Sequence, residues 1–295
     1  MNESLQPFEI QRESLAERLK LKDQWESQIR VLNEAGILEI LPESQELGVI
    51  GVDGQQYPIP EYSDVLNQLT PENLELLEAK QEEDYNKLII TPFAMPLKQL
   101  IDRYSSLLKR KDKTGELKDS QGNSINISDG DEPIKLPVKL IEDGYDDTLL
   151  YFGKLGEEQE TGKTKKKSIE QGKIWHFCLV QDTNSLENKR IETKIDSYLQ
   201  EGGLSGYTLE DWLMHAITNL QESGKQIDCT DSKEIIPNWL MGSYLPKDDC
   251  YFRAAYDIHD PSSTGAVIGG AKGEILKSRK NFINFRNLIE LGSNL

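Results

Sequence analysis

The run Ile174-Trp175-His176-Phe177-Cys178-Leu179-Val180 constrains the fold more than any other stretch of this chain. Aromatic, β-branched and aliphatic side chains follow one another there with little polar interruption, and a polar, glycine-bearing stretch over 153–172 precedes them. Such a run reads as a buried strand over 173–181. A strand of this kind needs a core. The 295 residues are 37% hydrophobic, below the usual ~45–50% but enough for one. Length alone suggests about two domains.

Other elements follow from periodicity and punctuation. Residues 9–35 read as one helix, with Trp25, Ile29 and Leu32 on a shared face and Gly36 as its stop. Leu47–Val52 and Gln55–Ile59 flank Asp53-Gly54, which predicts a hairpin with a two-residue type I′ turn. Thr70-Pro71-Glu72 opens a helix by rule, with Thr70 as N-cap and Pro71 in the first turn, and its acidic pattern runs to Lys87. Leu88–Thr91 reads as a buried strand. Met95–Lys111 follows as an amphipathic helix with Leu97, Leu100, Ile101, Tyr104, Leu107 and Leu108 on one face. Residues 112–133 read as a long polar loop, 134–141 and 148–152 as strands, and 191–200 as a helix ending at Gly202-Gly203. The helix opening at Tyr207 carries an N-cap at Thr208 and a stripe of Leu209, Trp212, Leu213, Ala216, Ile217 and Leu220. Beyond Gly224, short extended segments are expected to fill 226–295.

Charge excludes some functions. The chain holds 51 acidic and 34 basic residues, for a net charge of −17. Residues 1–150 carry 30 acidic against 16 basic, and 151–295 carry 21 against 18, so the acidity sits in the first half. A field of that sign repels phosphate backbones, and no nucleic-acid partner is expected. The basic runs Lys163–Lys167 and Lys272–Arg286 read as solvated faces. No stretch approaches the ~18 apolar residues of a membrane span, so no membrane partner is expected. Met1–Leu21 holds no apolar signal-peptide core, which points to a cytoplasmic location.

Candidates for chemistry are few. Cys178, Cys229 and Cys250 show no zinc spacing, and Cys178 reads as an inert buried thiol. The three histidines are His176, His215 and His259. His176 and Cys178 share one face of a strand, yet burial there denies the thiol both activation and access. In Tyr256-Asp-Ile-His-Asp260, Asp257 and His259 would share a strand face and Asp260 could join them on a divalent ion. The glycine-rich 265–273 stretch lacks phosphate-loop spacing, and Asp119–Glu132 departs from the EF-hand pattern.

A resemblance adds to this. Leu209-Glu-Asp-Trp-Leu213, Ile227-Asp228, Trp239-Leu-Met-Gly-Ser-Tyr-Leu-Pro246 and Arg253-Ala-Ala-Tyr-Asp257 stand in an order that resembles a group of bacterial proteins of candidate phyla. Ile90–Leu97 and Ile174–Asp182 are similar to the same group. Those proteins end in a domain like the C-type-lectin or formylglycine-enzyme fold, as do the variable proteins of diversity-generating retroelements. The resemblance implies a binding module at 205–295 with Trp212, Trp239, Leu240 and Tyr244 in its core and Arg253 or Arg286 as structural ion partners. It implies a displayed surface between about 247 and 280, with Lys247, Asp248, Asp249, Tyr251, Tyr256, Asp257 and His259 as ligand-binding residues. The catalytic cysteines of the formylglycine-generating enzyme have no counterpart here.

The expectation is an α+β protein: an acidic α/β region over 1–111, a middle α/β region over 134–204 and a lectin-like α+β module over 205–295. Its expected function is non-enzymatic binding of a protein or cell-surface ligand, with no catalytic residue, metal or cofactor. Two alternatives stand beside it. Acidic helices around 61–87 could engage a basic partner in a regulatory role, or Asp257, His259 and Asp260 could serve a metal-dependent hydrolase.

Overall fold

In the computed structural model, the residues described are 5–118, 122–124, 169, 172–181, 187–190, 201–206, 209–227, 282–285 and 287–292. The chain opens with α1 (Leu5–Arg18) and α2 (Leu21–Glu34). Sequence periodicity predicted one helix here, and the structure breaks it at Lys20, whose φ of 52° is left-handed. The break lets Leu15, Ala16 and Leu21 all reach the core. Gly36, at φ 71°, ends α2 as expected, since a left-handed residue after a helix costs glycine little.

Three short strands follow, β1 (Glu39–Ile40), β2 (Leu47–Ile50) and β3 (Gln56–Pro58), paired antiparallel in the order β1-β2-β3. The hairpin forms where Asp53-Gly54 predicted it, but Ile50 pairs with Gln56, so the loop spans 51–55 rather than two residues. Asp53 explains the longer loop. Its carboxylate accepts from the Gln55 N–H at 3.0 Å and from the Tyr57 hydroxyl at 2.6 Å, while Gly54 takes φ 79°.

After α3 (Tyr62–Asn67), α4 (Pro71–Ala79) begins with the expected cap: Thr70 Oγ1 accepts from the Asn73 N–H, and Asn73 Oδ1 accepts from the Thr70 N–H, each at 3.3 Å. The helix does not continue to Lys87. It gives way to a 3₁₀ turn at Gln81–Glu83 and a left-handed Asp84 (φ 58°), which swing the chain into β4 (Tyr85–Thr91). Tertiary pairing wins over the acidic helical pattern because Tyr85 and Leu88 are buried as sheet residues. The helix α5 (Leu97–Lys113) then buries Leu100, Ile101, Tyr104, Leu107 and Leu108, the face its period predicted.

The main sheet contains β4, β5 (His176–Gln181), β9 (Asn287–Glu290) and β7 (Ser205–Gly206) in the order β4-β5-β9-β7, all antiparallel. Ile89 pairs with Cys178 and Thr91 with His176, and on the other side Cys178 pairs with Glu290. Strands from the segments 1–111, 134–204 and 205–295 thus stand side by side in one sheet. A separate ribbon joins β6 (Glu187–Arg190) to β8 (Phe282–Phe285).

One helix, α6 (Leu209–Ser223), packs against β4, α5 and α2. Trp212, Leu213, Ala216, Ile217 and Leu220 of its expected stripe are buried, and so are Met214, His215 and Thr218, along with Glu210 and Asp211, both fully enclosed. Trp212 meets Tyr104 of α5 edge to face, with ring centroids 5.8 Å apart. At Gly224 the Lys118 N–H donates to the Gly224 carbonyl and the Gln226 N–H donates to the Lys118 carbonyl, which pins the end of α6 to the end of α5, and Ile227 is buried. Helices and antiparallel sheets make the chain α+β. The strands expected at 134–141 and 148–152, the helix at 191–200, Thr208, and everything from 228 to 281 lie outside the described residues. Among the described residues, no helix is long and apolar enough to cross a membrane.

Candidate functional site

His176 and Cys178, which the sequence places on one face of a strand, meet Asp211, Thr91 and Glu290 at the start of β5. Successive side chains of a strand alternate between faces, so His176 and Cys178 project to the same side. That side faces α6, whose first turn presents Asp211. His176 Nδ1 lies 2.8 Å from Asp211 Oδ1, and Thr91 Oγ1, across the β4–β5 pair, donates to the same oxygen at 2.8 Å. Glu290 comes from β9 on the other flank, with Oε1 3.4 Å from His176 Nε2. That is an ion-pair distance without hydrogen-bond alignment, and among the described residues the buried Nε2 has no hydrogen-bond partner. Cys178 Sγ contacts the Ile89 carbonyl at 4.0 Å.

The electrostatics follow from this enclosure. Burial works against a charged His176 ring, but the negative charge and hydrogen bond of Asp211, with Glu290 beyond, outweigh it and raise the imidazole to about 10. Burial pushes the Cys178 thiol well up, and the charges of Asp211 and Glu290 add to the effect. Burial also pushes Glu290 up, but His176 and Lys173 more than offset this and its carboxyl stands below the usual range. A thiol pushed up by burial and an imidazole already paired with Asp211 are not poised as nucleophile and base. The cluster does join three strands and a helix, and it gathers three kinds of metal-ligating atom in one place.

A second concave feature is an open cleft of about 480 Å³ at the start of α2, lined by Arg18, Lys20, Asp23, Gln24, Lys87 and Glu222 among others. Lys87 and Glu222 already pair across it at 3.0 Å.

Of the residues that sequence reading selected, Lys247, Asp248, Asp249, Tyr251, Tyr256, Asp257 and His259 lie outside the described residues, as do Asp260, Cys229 and Cys250. Trp212 is buried, as the resemblance implied for a core residue. His215 is buried one turn beyond Asp211. The sequence paired His176 with Cys178 but missed Thr91, 85 positions before His176, and Asp211 and Glu290, 35 and 114 positions after it. Asp211 reads from sequence as a first-turn acid beside an N-cap. One available signal was its place next to Trp212 and Leu213, on a helix too apolar to leave a solvated face.

Comparison of the chain with family models, curated proteins and solved structures finds no match in any of the three.

Proposed function

We propose that this chain is a non-enzymatic ligand-binding protein that displays a recognition surface from a C-type-lectin-like module over 205–295, in the manner of retroelement-diversified variable proteins. The observation that carries the reading is the anchoring of the described residues that flank 228–281. On one side, Ile227 is buried and Gln226 is bonded to Lys118. On the other, β8 pairs with β6 and β9 sits inside the main sheet. Side chains between two such anchors can change without unfolding the frame, which is what a binding surface on a scaffold requires. The residues it carries suit recognition: Tyr251 and Tyr256 offer rigid amphipathic area, with Lys247, Asp248, Asp249, Asp257 and His259 as polar contacts around them.

The test uses the full chain with Lys247, Asp248, Asp249, Tyr251, Tyr256, Asp257 and His259 each changed to alanine, singly and together. Each single variant is expected to shift unfolding stability by less than about 0.5 kcal/mol, as surface positions do. Binding to an array of glycans and purified cell-surface proteins is expected from the native chain and not from the combined variant. Loss of several kcal/mol at these positions, or array binding that survives all seven changes, overturns the reading.

A further inference from the structure

We infer that His176, Cys178 and Asp211 form a buried binding site for one zinc-class divalent ion, with Glu290 and Thr91 orienting its ligands. The inference concerns the scaffold and holds whatever the displayed surface binds. Three observations carry it. The first is composition: an imidazole, a thiol and a carboxylate offer ligand atoms that all lie within 4.8 Å of one another. This nitrogen, sulfur and oxygen set is one that zinc and its relatives accept, and that calcium and magnesium, which require oxygen, do not.

The second is geometry. Zinc bonds of ~2.0–2.3 Å place three tetrahedral ligand atoms roughly 3.3–3.8 Å apart. His176 Nδ1 and Asp211 Oδ1 stand at 2.8 Å, so a separation of about half an ångström admits the ion between them. Both ligand-bearing elements are well packed: Cys178 and Asp211 have no exposed surface, and His176 has 9%. A site on a strand and a helix keeps its ligands in place more closely than one on loops.

The third is the support around the ligands. A metal-bound histidine ordinarily directs its other ring N–H to a carboxylate, which fixes the tautomer and the ring plane. With Nδ1 on the ion, Nε2 faces Glu290 Oε1, and Nε2 is the ring nitrogen that is buried here without a hydrogen bond. Asp211 is held in the same way by the Thr91 hydroxyl at 2.8 Å. Cys178 Sγ makes one long contact, to the Ile89 carbonyl at 4.0 Å, and would release its proton on binding the metal. The ion would tie β5 to α6, and through Glu290 to β9.

The full chain, refolded from denaturant with Co²⁺ so that a buried site can fill, tests this. Expected are one Co²⁺ per chain, a thiolate-to-cobalt charge-transfer band, and loss of that band on adding Zn²⁺. Cys178→Ser should abolish the band. Glu290→Gln, which keeps the ligands and weakens only their support, should lower Zn²⁺ affinity about 10- to 100-fold. Circular dichroism on each variant shows that it has folded, and the native chain decides the question by itself. No charge-transfer band from the native chain overturns the inference. So does metal uptake that persists unchanged in folded Cys178→Ser, which would place the ion elsewhere, for instance at Asp257, His259 and Asp260.

Discussion

The β1-β2-β3 sheet and the β4-β5-β9-β7 sheet are both antiparallel, yet they are held together by different means. In the small sheet the partners are near neighbours in sequence, the turn residues set the register, and β1 is exposed at both positions. In the main sheet β4 meets β5 across some ninety residues, β5 meets β9 across more than a hundred, and nearly every position of β5 and β9 is buried. Local turn chemistry can specify a hairpin. It cannot select a partner a hundred residues away, where loop closure must be offset by burial and by satisfied polar groups.

If that contrast is right, the largest effect should come from the polar tie beneath the main sheet. Asp211→Ala leaves His176 without its hydrogen-bonded carboxylate and should lower unfolding free energy by about 3–5 kcal/mol, measured by guanidinium titration. Leu213→Ala, at a position with no exposed surface under the same sheet, should cost about 2–5 kcal/mol in the same titration. The small sheet should be most sensitive at its backbone contact. A Cβ on Gly48 would stand 2.2 Å from the Tyr57 carbonyl oxygen and 2.6 Å from Leu41 Cδ1, so Gly48→Ala should cost about 1–3 kcal/mol and speed amide exchange in β2 and β3 ahead of β4 and β5. Smallest of all is Ile40→Ala. At 65% exposure on β1 it should change stability by no more than about 0.5 kcal/mol, and a loss comparable to Leu213→Ala would erase the distinction between the two sheets.

The same division runs through what the sequence made legible. The core of the strand expected over 173–181, which begins at His176, the Thr70-Pro71 helix start, the burial face of α5 and the α6 stripe from Trp212 to Leu220 follow from spacing and capping over a few residues, and stand in the structure. Where local pattern and tertiary pairing conflicted, pairing prevailed. The acidic stretch read as helix to Lys87 turns at Asp84 because Tyr85 has a place in the sheet, where its hydroxyl donates to Asn287 Oδ1 at 2.5 Å. The 9–35 helix breaks at Lys20, and Leu15, Ala16 and Leu21 on either side of the break are all buried. The candidate site shows the limit most clearly. His176 and Cys178 are two positions apart and could be paired by inspection. Asp211 looked like an ordinary first-turn acid, and Glu290 had no mark at all.

By itself, the sequence determined the helix start at Thr70 and the inward faces of α5 and α6, because those are set by propensity, period and caps within a few residues. Tertiary structure alone decided that β5 lies between β4 and β9, and therefore that an imidazole, a thiol and two carboxylates share one enclosed space. Sequence spacing carries no record of that meeting. It arises only when burial of apolar strands and helices brings distant polar groups together, and those groups must then satisfy one another.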